Sequence, residues 1–262
     1  MKSHEIDYRI HGEELQAVEV ELDPSETVVA ESGSFMMMGD GIEMSTIFGD
    51  GTGQDKGFMG KLFSAGKRML TGESLFMTAF TNVGSRKQQV TFAAPYPGKI
   101  IALDLAGLDG KVIAQKDSFL CAAKGVTVGI EFQRKLGTGL FGGEGFIMQK
   151  LEGDGMAFVH AGGLVIEREL QPGEVLRVDT GCIVAFTRGV SYDIEFVKGV
   201  KNILFGGEGL FYATLRGPGK VWTQTIPISR LASRILAYGS TGTGRKEEGS
   251  ILGGFGDLLD GK

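Results

Sequence analysis

The chain has 262 residues, a formal net charge of −5 and a sequence pI near 5.4. Hydrophobic residues make up 42%, which supplies a sizeable core and excludes wholesale disorder, while the acidic balance lacks the basic excess of a generic nucleic-acid binder. Glycine is the outlier, with 43 residues against about 18 at average usage; no Gly-X-Y period accompanies it, so the excess serves turns in a chain that reverses often.

The N-terminal stretch MKSHEIDYRIHGEE is polar and acidic, unlike a signal or transit peptide. No uncharged apolar run approaches the roughly 18 residues of a membrane span. A soluble, cytoplasmic protein is expected. A first β unit then runs to residue 97, with Ser32-Gly-Ser-Phe-Met36 introducing an apolar stretch. Residues 46–70 lengthen this unit and show no clear strand alternation. Within them Phe58, Met59, Leu62, Phe63, Met69 and Leu70 make an apolar, helix-like stripe beside Lys61, Lys67 and Arg68. Glycines 57, 60 and 66 weaken an autonomous helix, which favours a cover over one edge of the β core above a membrane-surface helix.

A second unit occupies residues 98–172 and a third 173–228. Asp117-Ser-Phe-Leu120 and Thr180-Gly-Cys-Ile183 repeat the landmark of the first unit. Val126, Val128, Ile130 and Phe132 alternate with small or polar partners, as do Tyr192, Ile194 and Phe196, so both runs are predicted strands. Phe141-Gly-Gly-Glu-Gly145 recurs as Phe205-Gly-Gly-Glu-Gly209, 64 residues on, with matching flanks; Thr71-Gly-Glu-Ser-Leu-Phe76 is a weaker third copy. Met156–His160 and Val221–Ile226 read as strands, and the Glu-Gly-Asp-Gly155 and Arg-Gly-Pro-Gly219 segments before them have hairpin-turn composition. The expected fold is all-β, with three internally duplicated antiparallel β-sandwich units in a pseudo-threefold arrangement. Ser229–Tyr238 adds a short helix stopped by Gly239, and a Gly-rich tail completes a fourth segment, 229–262.

Catalytic chemistry finds no constellation in this sequence. Gly137-Thr-Gly-Leu-Phe-Gly142 fits G-x-G-x-x-G, but it leads into a strand-like run and so offers no helix N-terminus to a pyrophosphate. His4, His11 and His160 are the only histidines, without metal-ligand spacing, and His160 reads as a structural, hydrogen-bonded strand residue. Cys121 and Cys182 sit in apolar runs and read as buried free thiols. No cofactor, metal or enzymatic activity is expected. The repeated motif supplies the candidate residues: Gly72 and Glu73, Gly143 and Glu144, Gly207 and Glu208. Three equivalent carboxylates can line a pore or bind cations or basic partners; alternatively, each accepts backbone N–H bonds and orders its own Gly-rich turn. Repetition favours the structural role, since duplicated units retain what each needs to fold.

On the segments FGGEGFIMQKLEGDGMAFVHAGG, VDTGCIVAF and FGGEGLFYATLRGPGKVW, the chain resembles uncharacterised bacterial proteins related to the mitochondrial altered inheritance of mitochondria protein 24. The resemblance runs from about residue 5 to 238. It implies a threefold duplication of a domain with a fold like the tryptophan RNA-binding attenuation protein, a short double-stranded β-helix or sandwich. It further implies domains set in a ring and assembled into trimers; no activity or ligand follows from it. RNA binding is not carried over, because Lys150 has Ala79 and Thr214 as its counterparts and no Lys/Arg motif repeats.

The functional expectation is a non-catalytic oligomeric assembly or scaffold protein. Its expected partners are further copies in a trimer or larger ring, other proteins, and a membrane surface touched through 58–70 or 251–259. The alternative is a binding module for a small molecule, peptide or RNA between the β units.

Overall fold

The computed structural model describes residues 2–31, 33–48, 76–134, 146–196 and 211–239. The first third of the chain forms β1 (Asp7–His11), β2 (Ala17–Leu22), β3 (Thr27–Glu31), β4 (Phe35–Met38), β5 (Ile42–Phe48), β6 (Phe76–Asn82) and β7 (Gln88–Ala93). Next come β8 (Gly98–Asp104), β9 (Lys111–Gln115), β10 (Phe119–Ala123), β11 (Thr127–Arg134), β12 (Phe146–Glu152) and β13 (Met156–Gly162). The last strands are β14 (Val165–Leu170), β15 (Val175–Asp179), β16 (Ile183–Thr187), β17 (Ser191–Phe196), β18 (Phe211–Arg216) and β19 (Gly219–Gln224). Helix α1 (Ile228–Gly239) follows Pro227, as the sequence pattern predicts. It belongs to a separate compact unit from residue 229 onward and exposes Ile235, Leu236 and Tyr238.

The strands make four antiparallel sheets. An outer sheet has the order β1-β2-β7-β4, and a second outer sheet the order β15-β18-β17. Two six-stranded inner sheets have the orders β5-β6-β3-β10-β13-β8 and β11-β12-β9-β16-β19-β14. Three apolar layers separate them. Val18, Val20, Leu22 and Phe92 of the first outer sheet pack on Val28, Phe80, Leu120 and Phe158 of the first inner sheet. The other face of that inner sheet, with Val29, Leu103, Ala122 and Val159, meets Val112, Val128, Leu151 and Trp222 of the second. Ile113, Met148, Phe186 and Val221 then cover Ile194, Ala213 and Leu215 of the second outer sheet.

This layering explains the strand sequences. Strands sealed on both faces are continuous apolar runs: Phe119-Leu-Cys-Ala-Ala123 is buried throughout, and so is Ile183-Val-Ala-Phe186. Outer strands alternate instead, as in β2, where Val18, Val20 and Leu22 point inward and Ala17, Glu19 and Glu21 do not. Burying a run such as β10 on both faces stabilises the stack by roughly 1.5–3 kcal/mol per large apolar side chain.

Three expectations need correction. The strand before the long insertion continues through Thr46 and Ile47 to Phe48, because all seven residues of β5 find ladder partners in β6 from Asn82 to Phe76. The turns at 152–155 and 216–219 are not hairpins. Each carries the chain from one sheet to another: β12 and β18 pair in different sheets from β13 and β19. The second crossing needs glycine, since Gly219 has φ +142° and a Cβ there would lie 2.5 Å from Thr187 Oγ1 and 2.9 Å from Val190 Cγ2. Finally, Cys121 is a buried thiol, whereas Cys182, also outside any disulfide, is only half-buried.

Each inner sheet joins two successive thirds of the chain along one seam. In the first, β3 pairs with β10 through Cys121 opposite Ala30, Ala122 opposite Val29 and Ala123 opposite Val28. In the second, β9 pairs with β16 through Ala185 opposite Ala114, Phe186 opposite Ile113 and Thr187 opposite Val112. On its other side β10 pairs with β13 and β16 pairs with β19, each with one irregularity, between Phe119 and Cys121 and between Ile183 and Ala185. Strand β4 pairs with β7 the same way, with its irregularity between Phe35 and Met37.

Candidate functional site

The residues singled out from sequence, Gly72, Glu73, Gly143, Glu144, Gly207 and Glu208, lie outside the described residues, as do segments 58–70 and 251–259. In chain order Glu73 falls between β5 and β6, Glu144 between β11 and β12, and Glu208 between β17 and β18. Among the described residues no group of three or more His, Cys, Asp or Glu side chains is placed to hold a metal ion.

The buried polar groups do structural work. Asn82, fully buried, donates through Nδ2 to the Leu22 and Arg86 carbonyls at 2.8 Å each and accepts from Gly84 N at 2.9 Å. Gln224 ties the second inner sheet to its neighbours, accepting from Gly162 N at 2.8 Å and donating to the Gly181 carbonyl at 2.9 Å. His160, on β13, is buried against the edge of Tyr96, ring centroids 4.4 Å apart. The sequence predicts a hydrogen-bonded histidine there, but neither ring nitrogen has a partner of ordinary hydrogen-bond geometry. Burial lowers its pKa to about 4, against a smaller opposing pull from the Tyr96 backbone. A neutral imidazole sealed this way is a poor general base. Burial likewise pushes the Cys121 thiol well up and leaves it unreactive.

What remains unexplained by folding alone is the state of two strands. In β4 the side chains of Phe35, Met36, Met37 and Met38 are 39–56% exposed, while Phe119 to Ala122 of β10 are 0–4% exposed in the matching ladder. Only Phe35 has found a ring partner, stacking on Phe80 at 5.3 Å. Strand β15 is the counterpart. Its ladder to β18 matches the ladders of β3 to β6 and β9 to β12, yet Val175 is 41% exposed and Leu176 and Val178 are only partly covered.

Both strands lie at the edge of their sheets, with a ladder on one side only. An edge strand turns half of its N–H and C=O groups outward, where they accept another strand. Four large apolar residues in a row on such an edge are a predicted pairing site, and natural chains ordinarily break such an edge with Lys or Pro. Here β4 carries neither. Beside β15, Tyr212 Oη and Thr214 Oγ1 each donate to the Glu195 carboxylate at 2.9 Å, holding it below the usual carboxylate range. Arg177 of β15 stands near the same carboxylate. This polar ladder fixes the side chains of the sheet face next to β15.

Sequence reading marks Ser32-Gly-Ser-Phe-Met36 as an apolar entry but does not separate it from the equivalent entries at 117–120 and 180–183. The signal that separates them is chemical: three consecutive methionines stand where β10 has Leu-Cys-Ala and β16 has Val-Ala-Phe. Methionine adapts to several packing partners and recurs at protein-binding surfaces.

Comparison with known proteins follows this fold closely. The family described as mitochondrial biogenesis AIM24 matches residues 8–226. An uncharacterised protein of Streptococcus pyogenes serotype M6 is 29% identical over 225 residues, covering 84% of this chain and 86% of that protein. The crystal structure of another Streptococcus pyogenes protein, solved as a structural genomics target, superposes with a TM-score of 0.69 at 23% identity. That match covers 89% of this chain and 99% of that one, and it shows a shared fold. No helix among the described residues is long and apolar enough to cross a membrane.

Proposed function

The chain belongs to the mitochondrial biogenesis AIM24 family, and from that premise we propose that it is a non-catalytic assembly protein whose working form is a closed oligomer of identical chains. The observation that carries this reading is the exposed apolar edge at Phe35–Met38, whose counterparts Phe119–Ala122 of β10 and Ile183–Phe186 of β16 are buried. A chain that stays soluble with this edge must cover it, and self-association does so. Three duplicated β units in one chain suit such a role, since each repeats the same joining surfaces.

The test is a native mass spectrum of the full-length chain at micromolar concentration. A single multiple of the 27.9 kDa chain mass, without added mass, is the expected result. A monomer at that concentration would overturn the reading, and a monomer with reproducible extra mass would move the protein to the class of ligand-binding modules.

A further inference from the structure

We infer that Ser3–His11 form a pH-sensitive strap: protonation of His4 unlatches this segment from the first seam and frees the outer edge of β2. The device lies within one chain and acts whether or not copies assemble.

Strand β1 has no counterpart in the other two thirds of the chain among the described residues. Strands β2, β8 and β14 hold equivalent places beside β7, β13 and β19, and both β8 and β14 end their sheets. Only β2 carries a further strand, through the ladder that runs from Asp7 opposite Glu21 to His11 opposite Ala17. Strand β1 therefore covers an edge that the same architecture leaves open elsewhere.

What fastens it is a latch ahead of the strand. His4 N donates to the Lys124 carbonyl at 2.8 Å, Lys124 N donates to the Thr27 carbonyl at 3.0 Å, and Thr27 N donates to His4 Nδ1 at 2.9 Å. These three bonds close a circuit at the end of the seam, next to the pairing of Ala123 with Val28. Ser3 N adds a bond to Asp154 Oδ1 at 2.8 Å. Ser3 fits there because residues 125 and 155 are glycines. A Cβ on Gly125 would lie 2.6 Å from Ser3 Cα, and one on Gly155 would lie 2.6 Å from Ser3 Cβ. Beyond the latch, Ile6 is buried in the first apolar layer and Tyr8 meets the ring of Phe158 edge-on at 4.8 Å.

His4 is the titratable member of the circuit. Its Nδ1 accepts only while the imidazole is neutral with its proton on Nε2; a second proton makes Nδ1 a donor facing the Thr27 N–H. The Thr27 amide, on a buried residue, then loses its acceptor. Two charged side chains act on the imidazole: Lys124, past the end of β10, and Glu26, just before β3. Burial and the Lys124 ammonium disfavour the imidazolium, with Glu26 opposing them, and hold the pKa of His4 below its ordinary 6.5. Once released, the histidine regains its ordinary value, so the open strap binds the extra proton and gains population as pH falls. Asp154 takes no part in the switch. The Ser3 N–H and, more weakly, Lys2 hold its carboxyl below the usual range, so it stays ionised where histidine titrates.

Amide hydrogen exchange of the full-length protein tests the strap, read by mass spectrometry at pH 7 and pH 5 and corrected for the intrinsic pH dependence of exchange. Protection of residues 3–11 should fall about tenfold at pH 5, the order expected when a buried amide loses its acceptor, while Phe119–Ala123 stay protected. His4→Asn sets a carbonyl oxygen near the position of Nδ1 that does not titrate, and its strap should stay protected at both pH values. His4→Ala removes the acceptor and should leave the strap exposed at both.

Equal protection of the parent strap at the two pH values overturns the proposal, and so does an acid loss of the same size in His4→Asn. A parallel loss across Phe119–Ala123 also overturns it, since the β stack as a whole, and not the strap, would then be opening.

Discussion

Strands β10 and β4 hold the same position in their ladders and differ in one respect: β10 has a neighbour on both sides. Phe119-Leu-Cys-Ala-Ala123 disappears between β3 and β13, whereas Phe35-Met-Met-Met38 meets β7 alone. Their apolar character is equal. Burial here is therefore a property of the neighbour, not of the strand, and the open run of β4 is the edge that the self-association reading has to cover.

Placing a charge at each position separates the two most sharply. Ala122→Lys puts an ammonium opposite Val29 in a layer with no solvent access. Its cost exceeds about 4–5 kcal/mol, enough to unfold a typical domain, and soluble protein should not be recovered. Met38→Lys, at the matching position of the open edge, should express as a folded monomer with an unfolding midpoint in urea close to that of the parent. If the two variants behave alike, β4 is as much a part of the folded core as β10, and the contrast fails.

Much of the inner architecture was legible from residue pattern, and the reason lies in the layers. Runs such as Met156–Val159, which follows Gly155, are continuously apolar, which is what burial on both faces demands. The seams were not legible. Turn chemistry at Gly153 and Gly219 specifies that the chain reverses but not which strand becomes its neighbour, so layer crossings read as hairpins. The open edge was half legible: Phe35–Met38 is plainly apolar, but its exposure depends on the absence of a partner, which no local pattern encodes. The repeated glutamates Glu73, Glu144 and Glu208 stand out by recurrence, and they fall outside the residues on which the structure bears.

Truncation draws the same line at smaller cost. Phe186, on β16 at the position of Met38, is 1% exposed; Phe186→Ala should lose about 3–5 kcal/mol in urea unfolding, the usual range for emptying a sealed aromatic site. Met38→Ala, measured at a concentration below that of assembly, should lose less than about 1 kcal/mol. A loss from Met38→Ala comparable with that of Phe186→Ala would mean that β4 finds cover within its own chain.

The sealing of the inner sheets also leaves a signature in pH. His160 occupies the ladder position that Gln224 holds in the second inner sheet, on strands β13 and β19 respectively. Its pKa is lowered to about 4 from an ordinary 6.5, so between these values the unfolded chain binds the extra proton. Stability from this group is therefore complete above pH 6.5 and falls as pH drops toward 4, by up to about 3 kcal/mol. His160→Gln, which copies the residue at the sister position, should flatten that slope in urea titrations between pH 7 and 5. Burial also lowers the His4 pKa, with Thr27 N donating to its Nδ1 at 2.9 Å, so a shallower slope of the same sign should survive. An unchanged slope in His160→Gln would mean that water reaches the imidazole and that the inner sheet is less tightly closed than its packing indicates.

The smallest effect is expected on the outermost surface. Lys87 reaches Glu21 at 2.7 Å, Asp7 at 3.5 Å and Asp23 at 3.7 Å, and these carboxylates push its ammonium pKa up. Exposed ion pairs of this kind contribute little, because water and salt screen them. Lys87→Ala should shift the thermal midpoint by no more than replicate scatter, and any difference should vanish near about 1 M salt. A large, salt-insensitive loss would carry structural meaning, since screening fails only where solvent is excluded. The face bearing β1, β2 and β7 would then be a covered surface and not the outermost one.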